Sequence, residues 1–155
     1  MSWKTVELEA VLTLKRGYDL PQNRREDGMV PIFSSSGNSG SHSTAKVEGP
    51  GVITGRYGTI GEVFYSPVDF WPLNTTLYVS DFKGLDKRFA YYLLKTVPWQ
   101  AYQTASAVPG INRNHVSHCP VRIPDEQTQH RIVAVLEAFD AQIDNLVTTN
   151  DYLAA

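Results

Sequence analysis

Cationic and hydrogen-bonding side chains are concentrated in a few short polar segments of this sequence. Arg56 and Tyr57 lie within a run of glycines, Arg113 lies between two asparagines, and a serine-rich run occupies residues 34–44. Arginine, asparagine, serine and histidine side chains contact phosphates and read base edges in protein–DNA complexes. The segments therefore predict a DNA-binding surface. The candidate contact residues are Lys15, Arg16, Ser34, Ser35, Ser36, Asn38, Arg56, Tyr57, Asn74, Thr75, Asn112, Arg113 and His115.

The motifs of the common catalytic folds are missing from the sequence. The glycine-rich segment 55–61 continues with Glu62 instead of the Lys-Ser/Thr of a phosphate-binding loop. Residues 33–37 lack the first glycine of a nucleophile elbow, and no Asn/Asp-Pro-Pro-aromatic tetrapeptide of an adenine-N6 methyltransferase occurs. Asp69, Asp81 and Lys83 resemble a nuclease pattern only loosely. These observations favour a protein that is not itself an enzyme.

His115, His118 and Cys119 offer the one alternative chemistry. As zinc ligands they are one short of the usual four, and no second cysteine is available. A small enzyme with Cys119 as nucleophile is a further hypothesis, but no oxyanion-binding group lies beside it in the sequence. A buried, unreactive thiol is the simpler interpretation. The sequence thus predicts no bound metal and no cofactor.

Length and composition describe one ordinary domain with an uneven charge distribution. The 155 residues are 42% hydrophobic, contain a single cysteine and have no apolar run long enough to span a membrane, so a cytoplasmic location is expected. Residues 31–124 carry eight lysines and arginines against five acidic residues, a net +3. Residues 125–155 carry one against six, a net −5. A protein of net charge −2 can therefore still present one basic face to DNA.

The elements that would position the polar segments are short and of both types. Hydrophobic spacing predicts a short helix near residues 8–12 and strands at 30–33, 51–54, 62–65, 75–79 and 121–123. Asp86 is placed to cap a helix that ends near residue 96, and a shorter helix is expected at 99–104. Residues 34–44 are interpreted as an ordered loop, with a flexible linker as the alternative. The expected fold is α+β, a recognition domain over 1–124 followed by a long helix over 125–155.

The tail from residue 125 onward contains neither glycine nor proline and predicts one continuous helix. Its apolar residues alternate at spacings of four and three, which is typical of a coiled-coil seam. The predicted seam consists of Ile132, Leu136, Phe139, Ile143, Leu146, Asn150 and Leu153, with Asn150 fixing the register. The alternative is an amphipathic helix that lies on its own domain. No helix-terminating signal follows Leu153, so the helix is expected to be cut short.

Five segments together resemble the target-recognition domain of the specificity subunit of type I restriction–modification enzymes. They are VPIFSSSG at 30–37, GPGVITGRYGTIG at 49–61, FWPLNTTLYV at 70–79, VPGINR at 108–113, and Ile123-Pro124 with Gln127 ahead of the long helix. The resemblance covers essentially the whole chain in the family's order. Its middle segment is long and specific.

The resemblance implies a non-catalytic role in reading DNA. A subunit of this family normally has two such domains, each followed by a helix, and the helices form an antiparallel coiled coil that spaces two half-sites. Methyltransferase subunits that methylate adenine and motor–nuclease subunits dock on it, and they use S-adenosylmethionine, ATP and magnesium. This chain has one domain and part of one helix, so it is expected to be half a subunit.

The alternative function is a scaffold that acts through its helix and does not bind DNA. The exposed seam would also allow two copies of the chain to form a homodimer.

Overall fold

The computed structural model describes residues 2–154, which form three small β-sheets, two short helices with α-helical hydrogen bonding, and one long C-terminal helix. Three single-turn 3-10 helices lie at Leu8–Ala10, Gln22–Arg24 and Trp99–Tyr102. The strands are β1 (Trp3–Glu7), β2 (Thr13–Arg16), β3 (Val30–Ser34), β4 (Gly37–His42), β5 (Gly51–Gly55), β6 (Val63–Ser66), β7 (Trp71–Pro72), β8 (Thr76–Asp81) and β9 (Pro120–Pro124). The helices are α1 (Lys87–Lys95), α2 (Arg113–Val116) and α3 (Glu126–Ala154).

A four-stranded antiparallel sheet in the order β2-β8-β5-β6 forms the centre of the domain. Helix α1 packs on β5 and β6, and its Phe89, Leu93 and Leu94 belong to the same buried cluster as Val52 and Val63 of those strands. Each such side chain contributes about 1.5–3 kcal/mol by leaving water. The helix begins as expected, because the Asp86 carboxylate accepts a hydrogen bond from the Phe89 N–H (2.7 Å).

A second, aromatic cluster joins the central sheet to the three-stranded sheet β4-β3-β7. Phe70 is fully buried and meets Phe33 of β3 and Tyr78 of β8 edge to face, with ring centroids 6.0 and 6.5 Å apart. Ile53 of β5 completes the cluster. The aromatic segment 70–79 therefore packs the two sheets against each other.

The prediction of a loop over residues 34–44 is wrong in form, because β3 and β4 make a β-hairpin that turns at Ser35 and Ser36. Gly37 and Gly40 within β4 have φ of +107° and +120°, which side chains other than glycine rarely adopt. The glycines and serines that made the segment look like a linker are thus part of an irregular strand. Strand β1, which pairs with β9, was also not predicted.

The long helix α3 begins one residue later than predicted and is anchored at its first turn. Asp125 accepts hydrogen bonds from the backbone N–H and the hydroxyl of Thr128 (both 2.9 Å), and the Thr128 N–H is the main reason that the Asp125 pKa is lowered. The buried Gln129 amide donates to the carbonyl of Pro124 (3.0 Å). These bonds fix the direction in which the helix leaves β9.

Two polar contacts then hold the fourth turn of α3 against α1. The Arg88 guanidinium lies 2.8 Å from the Glu137 carboxylate, without the alignment of a hydrogen bond, and the Tyr92 hydroxyl donates to Asp140 (2.6 Å). Burial, and then the bond to Asp140, raises the Tyr92 pKa. We refer to Arg88, Tyr92, Glu137 and Asp140 as the latch.

Beyond the latch, every residue from 141 to 154 is exposed, so the helix projects from the domain by roughly 20 Å. Ile132 is half-buried against the main core and Leu136 against α1, whereas Phe139, Ile143, Leu146 and Leu153 are exposed by 57–76%. The first two seam positions therefore pack on the body and the later ones do not. Among residues 2–154, no helix has both the length and the apolar character needed to cross a bilayer.

Candidate nucleic-acid interface

A cleft of about 600 Å³ gathers residues from five separate parts of the chain. They come from residues 15–19 at and after the end of β2, the loop after β5, strand β8, Thr104, and the segment 110–114 that leads into α2. The side chains that line it include Lys15, Arg16, Arg56 and Arg113, against the single carboxylate of Asp19. We call this region the basic cleft. It places four cations on one concave face of a protein whose net charge is −2.

The loop that carries Arg56 and Tyr57 is held by backbone hydrogen bonds. The N–H groups of Arg56 and Tyr57 both donate to the carbonyl of Thr75 (2.8 and 3.2 Å). Gly55 is required at the start of the loop, since a Cβ there would lie 1.8 Å from the carbonyl oxygen of Thr59. Gly58 has a φ of +74°. The sequence thus dictates a tight turn that directs Arg56 and Tyr57 toward the cleft.

Two distant motifs of the sequence meet at this loop. The N–H of Ile111 donates to the carbonyl of Arg56 (2.9 Å), and Tyr57 and Gly110 form an antiparallel bridge. Gly110 lies so close to the Tyr57 ring that a Cβ would be 2.2 Å from its Cε1. The segment 108–113 and the segment 55–61 therefore build one wall of the basic cleft together.

Arg56 is half-buried, and its guanidinium carbon lies 4.4 Å from the centroid of the Tyr57 ring. Among residues 2–154 no carboxylate forms an ion pair with it. The turn is therefore not locked by an ion pair of Arg56 with a carboxylate among these residues. Its guanidinium donates no hydrogen bond to another described residue, so its donors face the cleft unpaired within residues 2–154.

Arg113 and Asn112 lie at the other side of the cleft. Asn112 is the N-cap of α2 and accepts a hydrogen bond from the Asn114 N–H (3.0 Å). Arg113, in the first turn, is exposed and lines the cleft. The cap fixes the backbone from which Arg113 projects.

Arg16 and Asn74 both contact Asp19, a cleft residue that follows Lys15 and Arg16 in the chain. Lys15 and Arg16 end β2, and Arg16 lies 3.9 Å from the Asp19 carboxylate. The Asn74 amide donates to the same carboxylate. Asn74 therefore supports the rim of the cleft, and Thr75 supports the Arg56 loop through its carbonyl, but neither lines the cleft itself.

The serine hairpin and His115 lie outside the basic cleft. Ser36 and Asn38 line a different groove, which they share with Asp140 and Asp144 of α3. Ser34 is engaged with Ser36 and with the carbonyl of Gly37. Ser35 lies behind the Arg56 loop, where its hydroxyl would be 3.3 Å from a Cβ on Gly58. Of the 13 predicted contact residues, the cleft brings together Lys15, Arg16, Arg56, Tyr57, Asn112 and Arg113.

The histidines and the cysteine are not arranged as one site. Cys119 is buried, His115 is exposed on α2, and His118 turns to Glu7, whose carboxylate lies 3.2 Å from Nδ1. The hydrogen bond to Glu7 raises the His118 pKa. Cys119 thus fits the interpretation as an unreactive core thiol.

Tyr18 is the one aromatic residue among the cleft residues that sequence reasoning missed. It is half-buried, lines the cleft, and its hydroxyl lies 2.7 Å from that of Tyr78 on β8. An aromatic residue beside a glycine is more often part of a core, and its partner lies 60 residues away. The sequence feature that could have indicated a place in the cleft is its position directly after Arg16 and Gly17.

Comparisons with known proteins agree with this fold. The family model of the type I restriction modification DNA specificity domain matches residues 1–153. The EcoprrI specificity subunit of Escherichia coli is 22% identical over 130 residues, which is 83% of this chain and 32% of that protein. The S subunit from M. genitalium superposes with a TM-score of 0.81 at 21% identity over 95% of this chain and 41% of that one. The HsdS subunit from Thermoanaerobacter tengcongensis gives 0.69 at 17% identity, over 93% and 39%.

The α+β domain with its projecting helix is thus the fold of the specificity subunits. The chain belongs to the type I restriction modification DNA specificity domain family. Specificity subunits of these systems are non-catalytic, and membership implies a role in the recognition of DNA targets. The chain spans about a third of the curated relative and about two-fifths of the solved subunits that it matches.

Proposed function

We propose that this chain reads one half of a bipartite DNA target through the basic cleft and offers α3 for assembly with other subunits. The observation that carries the proposal is the convergence of Lys15, Arg16, Arg56 and Arg113 on one concave surface. Cations arranged in this way neutralise phosphates, and arginine reads guanine by paired hydrogen bonds.

The cleft residues differ in exposure, and we assign them different contacts with DNA on that basis. Lys15, Arg16 and Arg113 are exposed at the rim, where they meet phosphates first. Arg56, Tyr57 and Asn112 are half-buried further in, and Leu77, Gly110 and Ile111 form the buried floor. A base edge that enters the cleft would therefore meet the half-buried polar groups, while the backbone stays on the rim.

The long helix supports the second part of the proposal. Phe139, Ile143, Leu146 and Leu153 remain exposed at a four-three spacing, which is the pattern of a helix that binds another helix. In a complete type I complex, methyltransferase and motor–nuclease subunits would supply S-adenosylmethionine, ATP and magnesium chemistry, and this chain would bind none of them. A scaffold that acts through α3 without DNA binding is the second candidate function.

Mobility-shift titration of a duplex with a randomised core, repeated at several salt concentrations, separates the two candidates. The wild-type chain should bind, and its affinity should fall steeply with salt because phosphate contacts release counterions. The double variant Arg56→Gln/Arg113→Gln should bind more weakly. Its salt slope should flatten by about one unit for each phosphate that is no longer neutralised. If the wild-type chain does not bind the duplex at any salt concentration, the scaffold function is favoured.

Lys95→Gln/Arg131→Gln is the matched control for this experiment, because it also removes two positive charges. Lys95 on α1 and Arg131 on α3 are exposed, and neither lines the cleft. It should leave the salt slope unchanged. An equal weakening by the control and by the cleft variant would show that binding reflects net charge and not the cleft.

A further inference from the structure

The hydroxyl of Tyr18, a residue that lines the basic cleft, lies 2.7 Å from the hydroxyl of Tyr78, a residue that does not line it. Tyr78 belongs to β8 and is 4% exposed, and the hydrogen bond to Tyr18 is the one partner of its hydroxyl among residues 2–154. A buried hydroxyl without a partner is costly, so Tyr78 is committed to this bond. Tyr18, by contrast, is half-buried and lines the cleft.

The environment of the two phenols determines which one donates. Burial, and then the bond to Tyr18, raises the Tyr78 pKa, so Tyr78 holds its proton firmly. The bond from Tyr78 lowers the Tyr18 pKa, and the nearby Lys15 and Lys46 lower it further. The geometry gives the same direction: Tyr78 is buried and its hydroxyl has Tyr18 as its one partner among residues 2–154, so its O–H has no other acceptor there and donates to the Tyr18 oxygen. This direction leaves the O–H of Tyr18 without a partner in the described part of the chain.

Two ammonium groups keep the Tyr18 ring in place. Lys15 Nζ lies 5.6 Å and Lys46 Nζ 5.1 Å from the ring centroid. The Tyr18 N–H donates to the carbonyl of Pro72 (2.8 Å). A phenol whose ring, backbone and oxygen are all fixed can present its proton in a defined direction.

We propose that Tyr18 is a specificity-determining residue that donates its free O–H to an acceptor on a base edge in the major groove. Guanine N7 and O6, adenine N7 and thymine O4 are such acceptors, whereas cytosine presents an amino donor there. Tyr18 therefore discriminates against cytosine at one position of the half-site. The inference rests on the proposed function, because it requires DNA to occupy the basic cleft.

A selection from a duplex library with a randomised core, sequenced before and after binding, tests the inference. Wild type should enrich one sequence. Tyr18→Phe should keep that preference everywhere except at one position, where the preference should fall about three- to tenfold, the worth of one neutral hydrogen bond. The salt slope should not change, since a hydroxyl displaces no counterion.

Two further variants separate the loss of the Tyr18 O–H from any loss of stability that Tyr18→Phe causes. Tyr18→Phe leaves the Tyr78 hydroxyl buried without a partner, so the double variant Tyr18→Phe/Tyr78→Phe is measured as well and should lose the same single preference. Tyr78→Phe alone should keep the preferred base, and the Tyr18 pKa, followed by the NMR signal of its Cζ, should rise because its donor is gone. A fall in that pKa would contradict the direction of the hydrogen bond.

The outcomes distinguish this inference from the proposed function. If Tyr18→Phe weakens all sequences equally, the hydroxyl contacts phosphate and the inference is overturned while the function stands. A Tyr18→Phe profile identical to wild type also overturns it. If the wild-type chain itself enriches no sequence, the proposed function is contradicted, and the inference about Tyr18 falls with it.

Discussion

At the scale of single residues, the basic cleft depends on glycines. Because a glycine has no Cβ, a neighbouring side chain or backbone segment can pack directly against its main chain. Gly110 is the clearest case, because its contact with the Tyr57 ring joins two motifs that are about 50 residues apart. The residue types of the cleft could be predicted from the sequence, since arginine and asparagine beside glycine are typical of DNA-reading loops. Their meeting could not, because it rests on a hydrogen bond between Arg56 and Ile111 that no local pattern encodes.

Gly110→Ala should therefore weaken DNA binding through Tyr57. The new methyl group would lie 2.2 Å from Tyr57 Cε1, so the ring must move, and the Arg56 guanidinium stacked on it must move as well. We expect lower affinity in the mobility-shift assay, together with a lower melting temperature. Gly84→Ala is the control, because it introduces backbone strain of about 1–2 kcal/mol at a φ of +83° with nothing within 4 Å. If both variants lose stability but keep full affinity, the Tyr57 contact is irrelevant to DNA binding.

At the scale of secondary-structure elements, the sequence predicted those whose signals are local. The Asp86 cap, the buried strand β5 and the glycine-free α3 were all identified, and each is encoded by neighbouring residues. The strands β1, β2, β4 and β7 were missed, and β1 and β4 show why. β1 is largely exposed and pairs with β9 more than 100 residues away, and β4 consists of glycine, serine, asparagine and histidine, which favour turns. Both exist because a partner strand is available, not because of their own propensity.

The latch between α1 and α3 is the element-scale feature with the clearest consequence. Because residues beyond it are exposed, the latch sets the angle at which α3 leaves the domain. Tyr92→Phe removes the hydroxyl that donates to Asp140, and should cost roughly 1–2 kcal/mol of unfolding free energy. It should also broaden the distance distribution between spin labels placed at Ser39 and Thr148. Tyr91→Phe is the control, since its ring packs on Tyr65 and Tyr92 but its hydroxyl forms no hydrogen bond among residues 2–154. An unchanged distribution for Tyr92→Phe would mean that the other contacts of α3, and not the hydrogen bond to Asp140, set the angle.

At the scale of the whole molecule, charge is separated between the body and the helix. Four cations line the cleft, whereas residues 125–155 carry a net charge of −5. Under the proposed function, these acidic residues would keep α3 from competing for DNA. The exposed seam leaves apolar surface that a second helix would cover. In the absence of other subunits we predict concentration-dependent dimerisation through α3, of low affinity because only about three heptads are available.

Sedimentation equilibrium on Ile143→Asp tests that prediction. A carboxylate at a seam position should abolish the dimer, because it would be buried without a partner. Thr148→Asp adds the same charge on the opposite face of α3, where the heptad places no contact, and should dimerise like wild type. A wild type that is monomeric at all concentrations, or a dimer indifferent to Ile143→Asp, would contradict the prediction.

The central claim, that DNA lies in the basic cleft, is tested most directly by mapping backbone amide shifts during an NMR titration with duplex DNA at low salt. The amides of Arg56, Tyr57, Ile111 and Arg113 should shift, while those of the hairpin turn at Ser36 and of residues 141–154 should stay in place. Shifts confined to the serine hairpin or to α3, with the cleft amides unmoved, would contradict the account.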